Sequence, residues 1–252
     1  MSSTEIIKKA ITTFFRHLKD FIIVIIVFAI ITGILGSIRS GDSLEILENP
    51  LRSLNSRNLM SFTRTRGDSL ISFLYSFLKD TIINLLIGAN FMAILDLIRG
   101  YTYGVGEIKD KITHYYPILI PVAALYTAIV KLLGLIPIIG WIIGIILYFA
   151  LLFVYFLLED YPDMEPIEYL KLSYELTKGH KLNLALLWLM VMIIPIVLSI
   201  IIVFIFVPSL IYGGGFVLIF LLFLLGLTSI IATSSLFMIA TTIYYDNTFE
   251  KI

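Results

Sequence analysis

No cysteine occurs in the 252 residues, which excludes disulfide bridges, thiolate nucleophiles and cysteine metal sites. Histidine is scarce as well. His17, His114 and His180 are the only three, and no two of them have zinc-ligand spacing, so neither a metal nor another cofactor is expected. Charged residues make up only 14% of the chain, against about 25% in a soluble domain. Lys plus Arg equals Asp plus Glu at 18 each, so no general attraction to nucleic acid is expected. Catalytic signatures are also missing. There is no HExxH and no intramembrane pair of aspartates, and Ser173 lies two helical turns before His180, too far for a direct hydrogen bond. The expectation is a protein that is not an enzyme.

Apolar sequence fills the space that charge leaves. Hydrophobic residues are 59% of the chain and mean hydropathy is +1.00, with the excess gathered in uncharged blocks. A helix needs about 20 such residues to cross a ~30 Å hydrocarbon core. The first block, 21–38, follows Lys8, Lys9, Arg16 and Lys19 as the core of a secretory signal would. It is longer than the roughly 7–15 residues of such a core and no Ala-x-Ala site follows, so it reads as a retained span. Further spans are expected at 81–98, 117–134, 137–158, 182–207 and 216–243. Starting the second near Leu70 would put Lys79 and Asp80 in lipid at ~2.5–3.5 kcal/mol each, so 70–77 is expected as a separate surface helix. The fold class is therefore all-α, a polytopic transmembrane helical bundle of six spans with five as the fallback.

Two regions fall outside the spans. Residues 1–20 set Ile6, Ile7, Ala10, Ile11, Phe14 and Leu18 on one helical face against Lys8, Lys9, Thr12 and Arg16, with Ser3 or Thr4 as the cap. This is the pattern of an amphipathic interfacial helix, or else of a cytosolic extension of the first span. Residues 21–252 form a single membrane domain with a serine-rich polar loop at 39–69, where Pro50 and Gly67 argue against one long helix. Lysine and arginine counts set the orientation. With the N-terminus inside, the inner segments hold eleven and the outer segments six, Lys79 being left aside as a boundary residue. The result is N-in, C-in, with the arginines of 39–69 as the internal conflict.

Proline and glycine punctuate the blocks. Gly134, Pro137 and Gly140 mark a hairpin, and Gly140 with Gly144 forms a small-xxx-small step for close helix approach. Pro195 is expected to kink its span, and Gly213 to Gly215 to form a turn. Polar groups within the spans are few. Asn84, Asn90, Asp96 and Arg99 make a candidate intramembrane polar site, in which Asp96 and Arg99 are expected to pair three residues apart. Asn84 and Asn90 bond between helices or line a pore, and the pore alternative defines a transporter reading. An intramembrane lipid-modifying enzyme would instead require two of Asp96, His114, His180 and Glu159 to converge.

The polar island at 158–181, LEDYPDMEPIEYLKLSYELTKGHK, is the best-organised region. Asp163, Glu165 and Glu168 surround a helix start with Pro166 in the first turn, and Gly179 fits the left-handed stop. Ile167, Leu170, Tyr174 and Tyr169 supply an apolar face, expected to lie along the inner membrane surface. The island is either a capped connector or a docking surface whose Lys178, His180 and Lys181 meet anionic lipid headgroups.

The block ending SYELTKGHK resembles an uncharacterised prokaryotic membrane family, domain-of-unknown-function family nine-seven-five. That family carries D-x-P, then E-A, S and G-H-K between two membrane helices. Asp160, Pro162, Ser173, Gly179, His180 and Lys181 match, while Tyr169 and Leu170 stand where Glu-Ala is favoured. IGANFMAILDLIRG and MIATTIYYD are similar to the segments before and after, so the likeness spans about 80–246 and leaves the N-terminal third unsupported. The group is related to YciC-like proteins and to the membrane region of some glycerophosphodiester phosphodiesterases, whose catalytic barrel has no counterpart here. The resemblance implies a multi-pass protein of the cell membrane with an accessory, regulatory or protective role. Its expected contacts are the lipid bilayer and a membrane-protein partner.

Overall fold

The computed structural model describes residues 1–37, 66–134, 136, 139–211 and 216–249. Most of the polar loop 39–69 with Pro50, the hairpin's Pro137 and the glycine turn at 213–215 lie outside these residues. Among the described residues the structure is helical, with no strand. The helices are α1 (Ser3–Arg16), α2 (Leu18–Ser37), α3 (Arg66–Ile98), α4 (Val105–Gly134), α5 (Ile139–Ala150), α6 (Val154–Asp160), α7 (Pro166–Leu176), α8 (Lys181–Ile211) and α9 (Phe216–Phe249). Four stretches are long and apolar enough to cross a membrane: Leu18–Gly36, Phe73–Ile98, Val105–Gly134 and Ile142–Asp160. Helices α8 and α9 run for 31 and 34 residues, and α8 passes position 195 as one helix.

The N-cap of α1 is Ser2, one residue earlier than expected. Its Oγ accepts from the Glu5 N–H at 3.4 Å, and its own N–H donates to the Glu5 carboxylate at 2.7 Å. That backbone N–H holds the Glu5 carboxyl below its ordinary range. Ile6, Ala10 and Phe14 are buried, chiefly against α9, so much of the stripe expected to face lipid faces protein. At His17 the chain breaks into α2, a peripheral helix that packs Phe21 on Tyr103 with ring centroids 4.5 Å apart. Ile22, Ile26, Ile30 and Ile34 of α2 are exposed, as lipid-facing side chains would be.

Helix α3 is continuous from Arg66, so the expected break at Lys79 and Asp80 is absent. For Asp80, neutralisation in place is the physical reason. The Asp80 carboxylate sits 2.6 Å from the Lys131 ammonium, which also donates to the Ser76 hydroxyl at 2.8 Å. Among the described residues, helices α3 and α4 form the most extensive contact. Gly88 of α3 lies against the Tyr155 ring, where a methyl group would clash. Gly140 likewise meets the Leu133 carbonyl at the turn into α5, whereas Gly144 faces open space. The two glycines therefore do not share one close helix contact.

The stretch LYFALLFVYFLL is uniformly apolar, yet the helix breaks at 151–153 and restarts as α6. Val154 to Leu158 are all buried, α6 packing on α3 and α7 while Phe156 meets the Tyr245 ring of α9 with centroids 4.8 Å apart. The break turns the Val154 N–H to Leu151, at 3.3 Å, and leaves the Ala150 carbonyl without its helical donor. Helix α7 replaces it. Ser173 Oγ donates to that carbonyl at 2.9 Å, and Thr177 Oγ1 lies 3.1 Å from it, sharing its one proton with the Ser173 carbonyl at 2.9 Å.

Candidate functional site

At the Arg99 end of α3, charged side chains from α4, α6 and α9 gather. Arg99 follows the last turn of α3, and Gly100 at φ +97° closes that helix, with the Tyr101 N–H donating to the Asp96 carbonyl at 3.0 Å. Arg99 itself keeps its helical bond to the Leu95 carbonyl, at 3.0 Å, yet the expected pair three residues apart does not form, because each partner is engaged elsewhere. The guanidinium instead grips Asp160 with two nitrogens, at 2.6 and 3.2 Å. Its Nε donates to Asp246 at 3.1 Å. The two carboxylates, Asp160 first, push the Arg99 pKa further up, so this cation persists at any accessible pH. Tyr245 donates to Asp160 Oδ2 at 2.7 Å and completes that carboxylate's shell.

Asp96 pairs with Lys111 at 2.7 Å, and the same ammonium meets Glu159 at 2.6 Å. Tyr115 adds a longer contact to Glu159, 3.3 Å. Two cations thus serve four carboxylates, all partly buried, with side chains between 12% and 24% exposed. Fork-shaped Arg–carboxylate pairing is the strong, geometrically specific kind of ion pair. The arrangement clamps the ends of α3, α6 and α9 to the first third of α4.

The remaining island residues attach to the same end. The N–H of Glu165 donates to the Glu168 carboxylate at 3.1 Å, and Pro166 opens α7 as expected. Gly179 adopts φ +88°, the left-handed stop. The buried face of α7 differs from the expected one. Tyr169, Leu170, Ser173 and Thr177 are buried against α4, α5 and α6, while Ile167 and Tyr174 are about half exposed. Tyr169, at a departure from the family pattern, donates to the Tyr161 carbonyl at 2.6 Å and accepts from the Met164 N–H at 3.3 Å. It therefore pins the loop holding Pro162, and burial pushes its phenol pKa up. His180 Nδ1 and the Tyr244 hydroxyl form a 2.8 Å hydrogen bond, with Phe249 edge-on to the imidazole. Lys181 places its ammonium 4.1 Å from the centre of the Tyr174 ring. Ser173 and His180 thus have separate partners.

The intramembrane polar residues are not brought together. Asn84 donates to Thr127 of α4 at 2.9 Å and lines a cavity of about 710 Å³ between α3, α4, α5 and α8. Asn90, buried, accepts from Tyr103 at 2.9 Å and donates to Met238 Sδ at 3.5 Å. Of the four groups a lipid-modifying enzyme would converge, Asp96 and Glu159 do meet, but across the Lys111 ammonium. His180 is engaged with Tyr244, and His114 is exposed.

In the sequence, Lys111 carries weight only as an inner-face charge, Tyr245 and Asp246 only as part of MIATTIYYD, and Glu159 only as one of the groups an enzyme would converge. The available signal was positional, since each lies close to a span end on the side assigned to Asp96 and Arg99. The helices and their span-end charge cluster define the class, an all-helical protein with helices able to cross a membrane. No family, curated protein or solved structure matches the chain.

Proposed function

We propose that the chain is a multi-pass protein of a prokaryotic cell membrane, with six spans and both termini inside, acting as a non-enzymatic accessory or protective component. The charge cluster carries this reading. It joins span ends far apart in sequence, and each ionisable group in it pairs with another side chain of the same protein, although Glu159 Oε2 is buried without a hydrogen-bond partner. Its three anchor points, Arg99, Asp160 and Asp246, come from the three segments that carry the resemblance to the uncharacterised prokaryotic family. The exposed face of α7, with Ile167, Lys171, Tyr174 and Lys178, suits a surface turned to headgroups or to a membrane partner.

The test is co-purification from mild detergent, comparing wild type with a Gly179→Ala, His180→Ala, Lys181→Ala triple variant. Loss of a stoichiometric partner from the variant supports the accessory role. A variant that assembles and behaves as wild type in cells removes the island from that role. A transporter or permease subunit is the runner-up, favoured by the cavity beside Asn84. It predicts solute flux in proteoliposomes that Asn84→Leu abolishes.

A further inference from the structure

The cavity beside Asn84 lies away from the charge cluster. Along α3, Asp80 precedes Asp96 by about 24 Å of helix. At about 710 Å³ it falls within the range of ligand-binding cavities, about 300–1,000 Å³. Its walls are apolar and aromatic, including Ile83, Tyr126, Leu151 and Trp188, and along α5 it extends from Gly144 to Leu151, about 10 Å. Its rim is apolar as well. Val130, Ile145 and Tyr148 line it and are 51%, 58% and 39% exposed, so it opens sideways from the bundle. For a chain that spans the bilayer, as proposed above, that opening faces hydrocarbon and admits an acyl chain more readily than a water-soluble solute.

Charge at one end narrows the ligand further. Asp80 and Lys131 both line the cavity and form a 2.6 Å ion pair, with Ser76 on the ammonium. Asp80 is 38% exposed and Lys131 19%, so both remain within reach of a ligand. A purely anionic headgroup would gain Lys131 and meet Asp80 as a like charge, and a cationic amphiphile would meet the reverse. A zwitterion fits without breaking the pair, its phosphate beside Lys131 and its ammonium beside Asp80. A primary ammonium also donates hydrogen bonds to a carboxylate, which a quaternary one cannot.

We propose that this cavity is a binding site for a phospholipid with a phosphoethanolamine headgroup, one acyl chain lying along α5 towards Trp188 and the headgroup seated on Asp80 and Lys131. Gly144 supplies a clean probe. It lines the cavity, and a Cβ added there meets no atom within 4 Å, so Gly144→Leu starts from an open position and extends into the site.

The experiment reconstitutes the full chain in vesicles of equal phosphatidylethanolamine, phosphatidylcholine and phosphatidylglycerol, re-extracts it in mild detergent and counts retained lipid by mass spectrometry. Wild type is expected to retain phosphatidylethanolamine over phosphatidylglycerol by about tenfold, the worth of one charge-assisted contact. Gly144→Leu, with an unchanged gel-filtration profile, is expected to lose that lipid. The double variant Asp80→Asn, Lys131→Gln is expected to retain lipid without headgroup preference. Equal retention of the three lipids by wild type, retention of detergent alone, or undiminished phosphatidylethanolamine on Gly144→Leu would each overturn the proposal. Failure of the chain to insert into the vesicles at all would instead count against the membrane-spanning reading on which the site rests.

Discussion

Arg99 shows how much one side chain organises. It holds Asp160 and Asp246, which lie 61 and 147 residues further along the chain. Arg99→Ala would leave two partly buried carboxylates without their cation, at a cost of about 3 kcal/mol. Arg99→Lys keeps the charge and loses the fork, so roughly half that loss is expected. Detergent thermal-shift measurements should rank wild type, Lys and Ala in that order. Ser173 and Thr177 act on a smaller scale, replacing the donor that the helix break takes from the Ala150 carbonyl. The pair Ser173→Ala, Thr177→Val would bury that carbonyl unsatisfied, at about 1–3 kcal/mol. Either single change should cost much less, because one hydroxyl remains, and a double-mutant cycle would read the difference.

At the scale of elements, α7 separates what is legible in sequence from what is not. Its start and stop are local devices, and Pro166, Glu168 and Gly179 announce them within one turn. Gly179→Ala should therefore cost about 1 kcal/mol through backbone conformation alone, since no atom lies within 4 Å of the added methyl. Equal melting temperatures of the two proteins would contradict this. The buried face of α7 was not legible, because the Ala150 carbonyl that selects Ser173 and Thr177 lies 23 and 27 residues back. Nor was the break that exposes that carbonyl, since LYFALLFVYFLL contains no glycine, proline or polar residue to mark it. In α3 the error ran the other way. Lys79 and Asp80 looked too costly for a continuous helix only while Lys131, some 50 residues on, was unknown as a partner for Asp80.

Over the whole molecule, the uncharged runs made the helical class legible, whereas the ion pairs that tie one end together join segments that no local pattern connects. The absence of cysteine makes the proposed topology directly testable. Single cysteines at Lys178 and Ile136, both exposed, flank the α5–α6 span. An impermeant maleimide added to intact cells should label position 136 and reach 178 only after permeabilisation. The reverse pattern would invert the orientation, and labelling of both from outside would remove the span between them.

The packing of α1 on α9 has a further consequence, for the order of assembly. Ile6, Ala10 and Phe14 precede, by nearly the whole of the described chain, the helix that chiefly covers them. Until α9 is made, that stripe has only α2 and α8 for partial cover, Phe14 meeting Phe21 with ring centroids 5.6 Å apart. The seam between α1 and α9 therefore closes late, once the helices between them already exist.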